Sequence, residues 1–470
     1  MTAGLSGMGG GLGSVSALVA PVFVAPRDGG GWGFEDPVQA PGEMSAERLL
    51  VVGGTAAERI PRRVRSRVER EASRVRLDAE ALGDLVVSGF GRLKSLADGA
   101  AGISLLHIET ASRYGGSWLS AHRWITSAAS RPISAADQTG LFLGAPAVGF
   151  LLSAVPPAYQ HLYASARTSL HQHITDLANR RVDAALARID RGYLPTFAEY
   201  DLFYGLTGIG AYLLRTEPQG PSLKRILQYL VALTRPLAPT GRGLPGWWVR
   251  HDPARGESPH FPGGHGNFGA AHGITGLLLL LAQALHHDIT VHGHRDAMFT
   301  ICAHLDAWCQ HDDSGPWWPE HISRRDLDRG RPHHDAPTRP SWCYGTTGIA
   351  RAGQLAGLAL RSPTLQKFYE DALYRALSDP AQLALVTDNG LCHGWAGIYQ
   401  TAHRAAADAL DPRLHTLAKR LGGALIASGQ PCSSSAPGLI NGAAGTALAL
   451  TTFASQQAPS TGWDACLVIN

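Results

Sequence analysis

The sequence WCYGTTGI at residues 342–349 returns in altered form as LCHGWAGI at 391–398. Both copies place a cysteine two residues before a glycine, and a second glycine follows after two further residues. Related copies occur at five more places: LADGAAGISLL (96–106), LGAPAVGFLL (143–152), YDLFYGLTGIGAYLL (200–214), AAHGITGLLLLLA (270–282) and LINGAAGTALAL (439–450). A phrase that recurs seven times indicates an array of similar structural units.

The spacing of the copies indicates the kind of unit. Successive second glycines are 47, 59, 68, 72, 49 and 48 residues apart, and the copy at 143–152 has Pro146 in place of its first glycine. Periods of this length are typical of helical hairpin arrays. The second glycines of the seven copies are Gly102, Gly149, Gly208, Gly276, Gly348, Gly397 and Gly445.

Two kinds of segment alternate along the chain. Runs such as GLLLLLAQAL (276–285) follow the glycines and are apolar on all sides, which predicts buried inner helices. Stretches such as SLKRILQYLVALTRPL (222–237) and LQKFYEDALYRALSD (365–379) carry apolar residues at helical spacing, which predicts outer helices. We therefore predict an all-α fold, an (α/α) toroid of seven inner and seven outer helices in which the glycines let helix starts approach near the axis.

Composition excludes several classes of protein. The chain of 470 residues is 17% charged with a formal net charge of +3, too little to hold the whole molecule on nucleic acid or an anionic membrane. No segment reaches the ~18 uninterrupted apolar residues of a membrane span. We expect a flexible glycine-rich tail over residues 1–45 and one toroid domain over 46–470.

The cysteines are too few and too clustered for a disulfide framework, so we expect a soluble protein of the reducing cytoplasm. All six lie beyond residue 300: Cys302, Cys309, Cys343, Cys392, Cys432 and Cys466.

Four of the seven copies hold reactive side chains just before or inside the glycine phrase. Superposed repeats would direct Cys343, Cys392 and His393 at one central point, and two thiolates with one imidazole suit Zn²⁺. Three protein ligands leave one tetrahedral position for a thiol that the metal would deprotonate. The alternative is three buried side chains without a metal, since free cysteine is commonly buried. The other two copies contribute Asp201 and His272.

These motifs, with AAHGITG, YDLFYGLTG and the final GWDACLVIN, resemble the lanthionine synthetase C-like cyclases, zinc enzymes that close thioether rings in lanthipeptides. The likeness covers roughly residues 80–470. It implies that a cysteine of a dehydrated precursor peptide adds to a dehydroalanine or dehydrobutyrine of the same peptide. The site residues that it implies are Cys343, Cys392 and His393 as zinc ligands, His272 and Asp201 as acid/base residues, and Arg339 and Tyr344 as their neighbours.

Within that mechanism we expect a protonated His272 to deliver a proton to the α-carbon, with Arg339 stabilising the enolate. Asp201 either orients His272 or receives the thiol proton. About 90 residues precede the first repeat, too few for a dehydratase domain, so a separate dehydratase is an expected partner beside the precursor peptide, and a transporter is a further candidate.

Other candidates have simpler interpretations. Cys302 and Cys309 share one helical face and are most simply core residues, whereas Cys432 is interpreted as a loop residue. His265, His333 and His334 lie in long loops (239–269 and 311–342) that we expect to help form the site, although solvated loop histidines are commoner. The basic stretch 62–76 could receive an acidic leader peptide or be an exposed helix face.

Three rival functions remain at this stage. One keeps the zinc but joins glutathione to dehydrated residues or acts as a non-catalytic adaptor. A second is a metal-free α/α-toroid enzyme that uses carboxylates, such as a glycosidase or terpenoid cyclase. A third is a catalytically inactive zinc scaffold that binds the dehydratase.

Overall fold

Helices make up most of the regular structure in the computed structural model, which describes residues 23–24, 94–130, 132–236, 243–428 and 437–470. The expected tail, the basic stretch 62–76 and Cys432 lie outside the described residues, apart from the pair 23–24. The described α-helices are α1 (Ala100–Tyr114), α2 (Trp118–Ala129), α3 (Ala145–Ser153), α4 (Ala164–Asp190), α5 (Phe197–Tyr200), α6 (Leu206–Thr216), α7 (Pro221–Leu233), α8 (Ile274–His286), α9 (His294–Trp308), α10 (Arg324–Arg329), α11 (Thr346–Ala359), α12 (Pro363–Ala376), α13 (Pro380–Ala384), α14 (Trp395–Ala407), α15 (Arg413–Ala427) and α16 (Ala443–Ser455).

Seven of these helices begin at the repeated glycine phrase and form the inner ring. They are buried along most of their length, and each packs on the next, with the last against the first. In six copies the first glycine is the residue that precedes the helix; in the copy with Pro146 this position moves to Gly144. The inner helices are α1, α3, α6, α8, α11, α14 and α16.

Backbone hydrogen bonds join the loops before the inner helices into a closed circle. The amide of Leu96 donates to Phe142, that of Phe142 to Phe203, and Leu202 to Ala271. The circle continues from Ala271 to Cys343, from Cys343 to Cys392, from Cys392 to Ile440 and from Ile440 to Ala97, and the N···O distances of these seven bonds are 3.0–3.4 Å. The seven loops therefore face one axis, as the repeat predicted.

The second glycine of the phrase is required by its own loop. At Gly348 a Cβ atom would lie 2.1 Å from the carbonyl oxygen of Trp342, six residues earlier, and 3.3 Å from the Cβ of Ala270 in the neighbouring repeat. In five other copies, the carbonyl oxygen of the residue six positions before the second glycine lies 1.9–2.5 Å from the position of a Cβ on that glycine. The absence of a side chain at the second glycine therefore leaves room mainly for the preceding loop of the same repeat and, to a smaller extent, for the neighbouring repeat. This steric requirement explains why the glycine recurs. These five are Gly102, Gly208, Gly276, Gly397 and Gly445.

Six longer amphipathic helices pack outside the ring within the described ranges, each on the inner helix before it. The stretches at 222–237 and 365–379 form α7 and α12, which confirms their assignment as outer helices. All six outer helices are α2, α4, α7, α9, α12 and α15. In the described segments, no helix is both long and apolar enough to cross a membrane.

Most of the short strands lie in or next to the long loops that the sequence marked as site-forming. Antiparallel pairs join β1 (Phe23–Val24) to β2 (Ile133–Ser134), β3 (His265–Asn267) to β6 (His321–Ser323), and β4 (Gln310–Asp312) to β5 (Gly315–Trp317). Directly after β3, the amide of Phe268 donates to the carbonyl of Glu320 at 3.0 Å, which extends the β3–β6 contact into the loop that leads to α8. Two 3-10 helices span Pro157–Tyr163 and Trp463–Leu467.

The last residues of the chain are buried among the inner helices. Asp464 accepts hydrogen bonds from Arg404 at 2.6 and 2.7 Å and from Gln400 at 2.7 Å. The indole nitrogen of Trp342 donates to the carbonyl of Leu467 at 3.2 Å. This segment therefore packs against the loop that carries Cys343, through the hydrogen bond between Leu467 and Trp342.

Candidate metal centre and the groups around it

Two neighbouring loops of the ring bring Cys343, Cys392 and His393 together. The amide of Cys343 donates to the carbonyl of Cys392 at 3.2 Å, so the loops before α11 and α14 lie side by side. One ligand atom from each of the three side chains lies within 4.8 Å of the other two. In the part of the chain that the structure describes, this is the only group of three or more potential metal ligands whose donor atoms lie so close together. Cysteines 49 residues apart in sequence thus meet at one point.

Hydrogen bonds within the group shift the pKa of each of its members. The pKa of Cys343 lies well below its usual range because Cys392 and then His393 donate hydrogen bonds to its thiolate, although burial opposes this. The pKa of Cys392 is raised well above its usual range by its hydrogen bond with Cys343 and by burial. Hydrogen bonding to Cys343 also raises the pKa of His393. The trio already stabilises one thiolate, the form in which a cysteine binds a metal.

The donor set fits zinc. Zn²⁺ binds thiolates at about 2.3 Å and imidazole at about 2.0–2.1 Å, which in a tetrahedron places neighbouring donors about 3.5–3.8 Å apart. The observed separations, all under 4.8 Å, require only small side-chain movements to reach that geometry. Three protein donors with a fourth position for substrate are typical of catalytic rather than structural zinc.

His272 and Asp201 form a second pair beside this group, contributed by the preceding two loops. Nδ1 of His272 lies 2.6 Å from Oδ2 of Asp201, and Asp201 is completely buried. The other carboxylate oxygen of Asp201 accepts the amides of Tyr204 at 2.6 Å and Gly205 at 2.8 Å. The buried carboxylate fixes the ring of His272, so that Nε2 is the nitrogen left for a substrate.

Aromatic rings surround His272. Phe197 and Tyr204 stack on it with ring centroids 5.5 and 6.1 Å away, and Phe203 lies at 5.1 Å. The ring of Tyr344, next to Cys343, is 6.2 Å from His272. These walls limit the access of water to the imidazole and connect it to the cysteine loop.

Arg339 and Tyr344 lie on the two sides of Cys343 in sequence. The hydrogen bond with Cys343 raises the pKa of Cys392 and of His393, and the positive charge of Arg339 acts in the opposite direction on both. Its Nε is buried without a hydrogen-bond partner. The hydroxyl of Tyr344 accepts a hydrogen bond from Nδ2 of Asn267 at 3.1 Å. The structure therefore brings all seven site residues expected from sequence into one region.

Sequence reasoning missed a set of polar side chains that cap the site loops. Asn267 accepts the amide of Gly269 at 2.9 Å while holding Tyr344, and Ser341 accepts the amide of Tyr344 at 3.2 Å while its Oγ lies 3.6 Å from the sulfur of Cys343. Asp388 accepts the amide of Gly390 at 2.8 Å, and its Oδ2 lies 3.3 Å from Nε2 of His393. Asn267 and Asp388 resemble Asp201, since one atom caps a loop and another contacts a site residue, whereas the single Oγ of Ser341 makes both contacts. A polar residue a few positions before each glycine phrase was the available signal.

Among the loop histidines, the expectation of solvation was wrong for His265. Its side chain is fully buried in β3, donates from Nδ1 to the carbonyl of His251 at 2.8 Å, and packs against Phe197 and Phe261. Burial lowers the pKa of His265 to about 3. His333 is half exposed, as expected, and contacts Asp326 at 3.2 Å.

The two remaining cysteines that were assigned to the core behave accordingly. Cys302 is buried and Cys309 is partly buried, and burial raises the pKa of each to about 12.

A closed ring of helical hairpins with a two-cysteine, one-histidine group at its axis defines an α/α-toroid protein with a candidate metal centre. The chain belongs to the lanthionine synthetase C-like family, whose model matches residues 93–468. The resemblance seen in the motifs is thereby confirmed.

The similar proteins include a nisin biosynthesis protein and a solved nisin cyclase. The nisin biosynthesis protein NisC of Lactococcus lactis subsp. lactis is 26% identical over 239 residues, which are 49% of this chain and 55% of that protein. The match therefore spans about half the length of this relative. The solved structure of nisin cyclase superposes with a TM-score of 0.70 at 19% identity and covers 87% of this chain and 98% of its own. This likeness confirms the toroid fold.

Proposed function

We propose that the chain is a zinc-dependent lanthipeptide cyclase, which joins cysteine thiols to dehydroalanine or dehydrobutyrine residues of one dehydrated precursor peptide. The observation that carries the proposal is the meeting of Cys343, Cys392 and His393 within 4.8 Å beside the His272–Asp201 pair. Family membership and the similarity to a nisin biosynthesis protein support it.

Cys343, Cys392 and His393 would hold the metal ion. When bound, Zn²⁺ lowers the pKa of a substrate thiol and so supplies a thiolate near neutral pH. Two thiolates from the protein balance the charge of the ion, so an added thiolate keeps much of its nucleophilicity.

The remaining residues handle the proton. The substrate sulfur forms a bond to the β-carbon as the carbon–carbon double bond of the dehydrated residue opens, and negative charge moves to the enolate oxygen. Arg339 would stabilise that charge, and Nε2 of His272 would deliver a proton to the α-carbon while Asp201 stabilises the imidazolium through Nδ1. The thiol has lost one proton and the α-carbon has gained one, so the mass of the peptide is unchanged.

The substrate is a peptide that already carries dehydrated residues, so the proposal includes a separate dehydratase as the source of substrate. Tyr344, held by Asn267, lines the same region and is proposed to contact the peptide.

The proposal is tested by mass spectrometry of a dehydrated precursor peptide that is treated with a thiol-alkylating reagent after incubation with the zinc-loaded chain. We expect loss of alkylatable cysteine at constant peptide mass, and one zinc per chain by elemental analysis. Cys343→Ala should lose both the metal and the activity, whereas Cys309→Ala, at a partly buried cysteine away from the group, should keep both.

Three results would contradict the proposal. Peptides that gain the mass of glutathione, when it is supplied, would support the glutathione-adding rival. Full cyclisation without metal would exclude zinc catalysis. Ring formation in cells that is unchanged by His272→Ala would support an inactive scaffold.

A further inference from the structure

Asn267 ends β3 and begins the loop that carries His272, and it has no chemical role in the proposed reaction. Its side chain is buried, with 1% of the residue exposed. Oδ1 accepts the amide of Gly269 at 2.9 Å, and Nδ2 donates to the hydroxyl of Tyr344 at 3.1 Å. One buried amide group therefore joins the loop of His272 to the loop of Cys343.

The orientation of this amide group is fixed by the backbone. A main-chain N–H can only donate, so the atom of Asn267 that meets the amide of Gly269 must be the oxygen. The NH₂ group is then the part that faces Tyr344. The start of α8 closes on the same side chain, since a Cβ at Gly273 would lie 2.4 Å from Oδ1 of Asn267. The direction of the hydrogen bond to Tyr344 follows from these contacts.

The ring of Tyr344 is held in place as firmly as its hydroxyl. A Cβ at Gly269 would lie 2.8 and 2.9 Å from Cδ1 and Cε1 of Tyr344, so the ring packs directly on the backbone of the His272 loop. On the other side, Oγ of Ser341 accepts the amide of Tyr344 at 3.2 Å and donates to its carbonyl at 2.8 Å. The rings of Tyr344 and His272 are 6.2 Å apart. The phenol therefore has a fixed position beside the imidazole.

The hydroxyl of Tyr344 can both donate and accept a hydrogen bond. Because Asn267 donates to it, the hydroxyl is the acceptor in that bond and its own proton points elsewhere. Within the described ranges, no side chain or carbonyl accepts that proton, and Tyr344 is partly exposed. The hydroxyl is thus left as a hydrogen-bond donor for a group that enters the site.

We propose that Asn267 is a positioning residue for cyclisation, which holds the hydroxyl of Tyr344 as a donor to the carbonyl oxygen of the dehydrated residue under attack. That oxygen gains negative charge as the sulfur–carbon bond forms, and Tyr344 shares the stabilisation of this charge with Arg339. The hydroxyl keeps its proton, so the proton transfer is left to His272. The inference rests on the proposed function, because it takes this carbonyl as the group that the hydroxyl meets.

The position beside His272 agrees with this role. In an enolate, one carbon atom separates the oxygen from the α-carbon. A donor to the oxygen must therefore lie next to the group that protonates the α-carbon, as Tyr344 lies next to His272. Asn267 sets this relation directly, because it belongs to the loop of His272 and bonds to Tyr344.

Two substitutions and one control test the inference. Asn267→Asp keeps an oxygen for the amide of Gly269 but replaces the NH₂ group with an acceptor, so the hydroxyl of Tyr344 would donate to residue 267 and be lost to the substrate. Tyr344→Phe removes the hydroxyl. The control, Asn179→Asp, makes the same change at an amide that joins the outer helices α4 and α7 through Ser222 at 3.1 Å.

The kcat and KM for cyclisation of a dehydrated peptide are measured on the full-length, zinc-loaded chains by the alkylation assay. We expect Asn267→Asp and Tyr344→Phe each to lower kcat about 10- to 100-fold, because the lost hydrogen bond acts on charge that develops in the transition state. KM should stay within about twofold of the wild type, and Asn179→Asp should keep both constants. The affinity for Zn²⁺ should be unchanged in all variants, since no metal ligand is altered.

The double variant Asn267→Asp/Tyr344→Phe separates positioning from a merely structural role. If Asn267 acts through the hydroxyl, the double variant should have the kcat of Tyr344→Phe, because the group that Asn267 orients is already absent. Losses that add up would overturn the inference, since they would show that Asn267 acts through the loop or that the new charge acts by itself.

Two further results would overturn the inference. One is loss of Zn²⁺ from Asn267→Asp, which would show that Asn267 supports the metal loop. The other is a kcat of Tyr344→Phe equal to that of the wild type, which counts even if Asn267→Asp does not fold. A zinc-loaded wild type that forms no rings would instead refute the proposed function, so the two failures are distinguishable.

Discussion

Two glycine-to-alanine substitutions should change stability in opposite directions. In Gly348→Ala the new Cβ would lie 2.1 Å from the carbonyl oxygen of Trp342, whereas ordinary contacts of this kind begin at about 3.4 Å. The loop or the helix must therefore move by about 1.3 Å, the difference between the two distances. Gly423, exposed inside α15, has no atom within 4 Å of the position of a Cβ.

The magnitudes follow from these surroundings. Overpacking costs about 1–3 kcal/mol, and Gly348 falls at or above the upper end because backbone must move. Helix propensity returns about 1 kcal/mol, so we expect a net loss of about 2 kcal/mol or more. Gly423→Ala keeps only the propensity gain, about 0.5–1 kcal/mol.

Differential scanning calorimetry and urea unfolding of both full-length variants measure the effect. With an unfolding entropy of about 2.1 cal/mol/K per residue, a domain of this size shifts by roughly 1 °C per kcal/mol. The Tm should fall by about 2 °C or more in Gly348→Ala and rise by up to about 1 °C in Gly423→Ala. Since Trp342 precedes Cys343, Gly348→Ala should also weaken Zn²⁺ binding. A Gly348→Ala chain as stable as Gly423→Ala would refute the explanation of the repeated glycine.

Two further substitutions test the site and its surroundings. Asp201→Asn keeps an oxygen for the amides of Tyr204 and Gly205 but loses the charge-assisted hydrogen bond to protonated His272, which is worth about 1.5–3 kcal/mol. We therefore expect kcat/KM for cyclisation to fall about 10- to 150-fold with little change in Tm. An unchanged kcat/KM would show that His272 does not take part in the proton step. Burial lowers the pKa of His265 from 6.5 to about 3, so between these two pH values the unfolded chain binds more protons at His265 than the folded chain does. The free energy of unfolding should therefore be highest above pH 6.5 and decline as the pH falls, by up to about 5 kcal/mol from this residue. His265→Asn, which can still donate to the carbonyl of His251, should flatten this acid limb in urea titrations between pH 4 and 7, whereas an unchanged limb would show that other groups control it.

Much of the candidate site could be predicted because its residues are marked locally. Cys343, Cys392 and His393 sit at matching points of a repeated phrase, and the phrase is kept by a local steric requirement, the carbonyl that occupies the Cβ position of the second glycine. Repetition then implies superposition, and superposition implies that the three side chains meet. The hydrogen bonds that join each loop to the next around the ring show that the repeats are arranged in this way.

The contacts that orient the site were not predictable in the same way. Asp201 and His272 are 71 residues apart and Asn267 and Tyr344 are 77 apart, and no local pattern says which neighbour a capping side chain will reach. His265 shows the same limit, because a histidine in a glycine-rich loop is usually solvated and becomes buried here only through the β3–β6 pair and the rings around it.

The sequence by itself therefore determined the number of inner helices, the phrase at which each begins and the identity of the candidate ligands, since all three depend on interactions within a few residues of one phrase. Ring closure alone decided which loops are neighbours, and with that the partners of Asp201, Asn267 and Asp388. The physical reason is that a hydrogen bond depends on direction as well as on residue type, and direction across the axis is set only when all the repeats have packed.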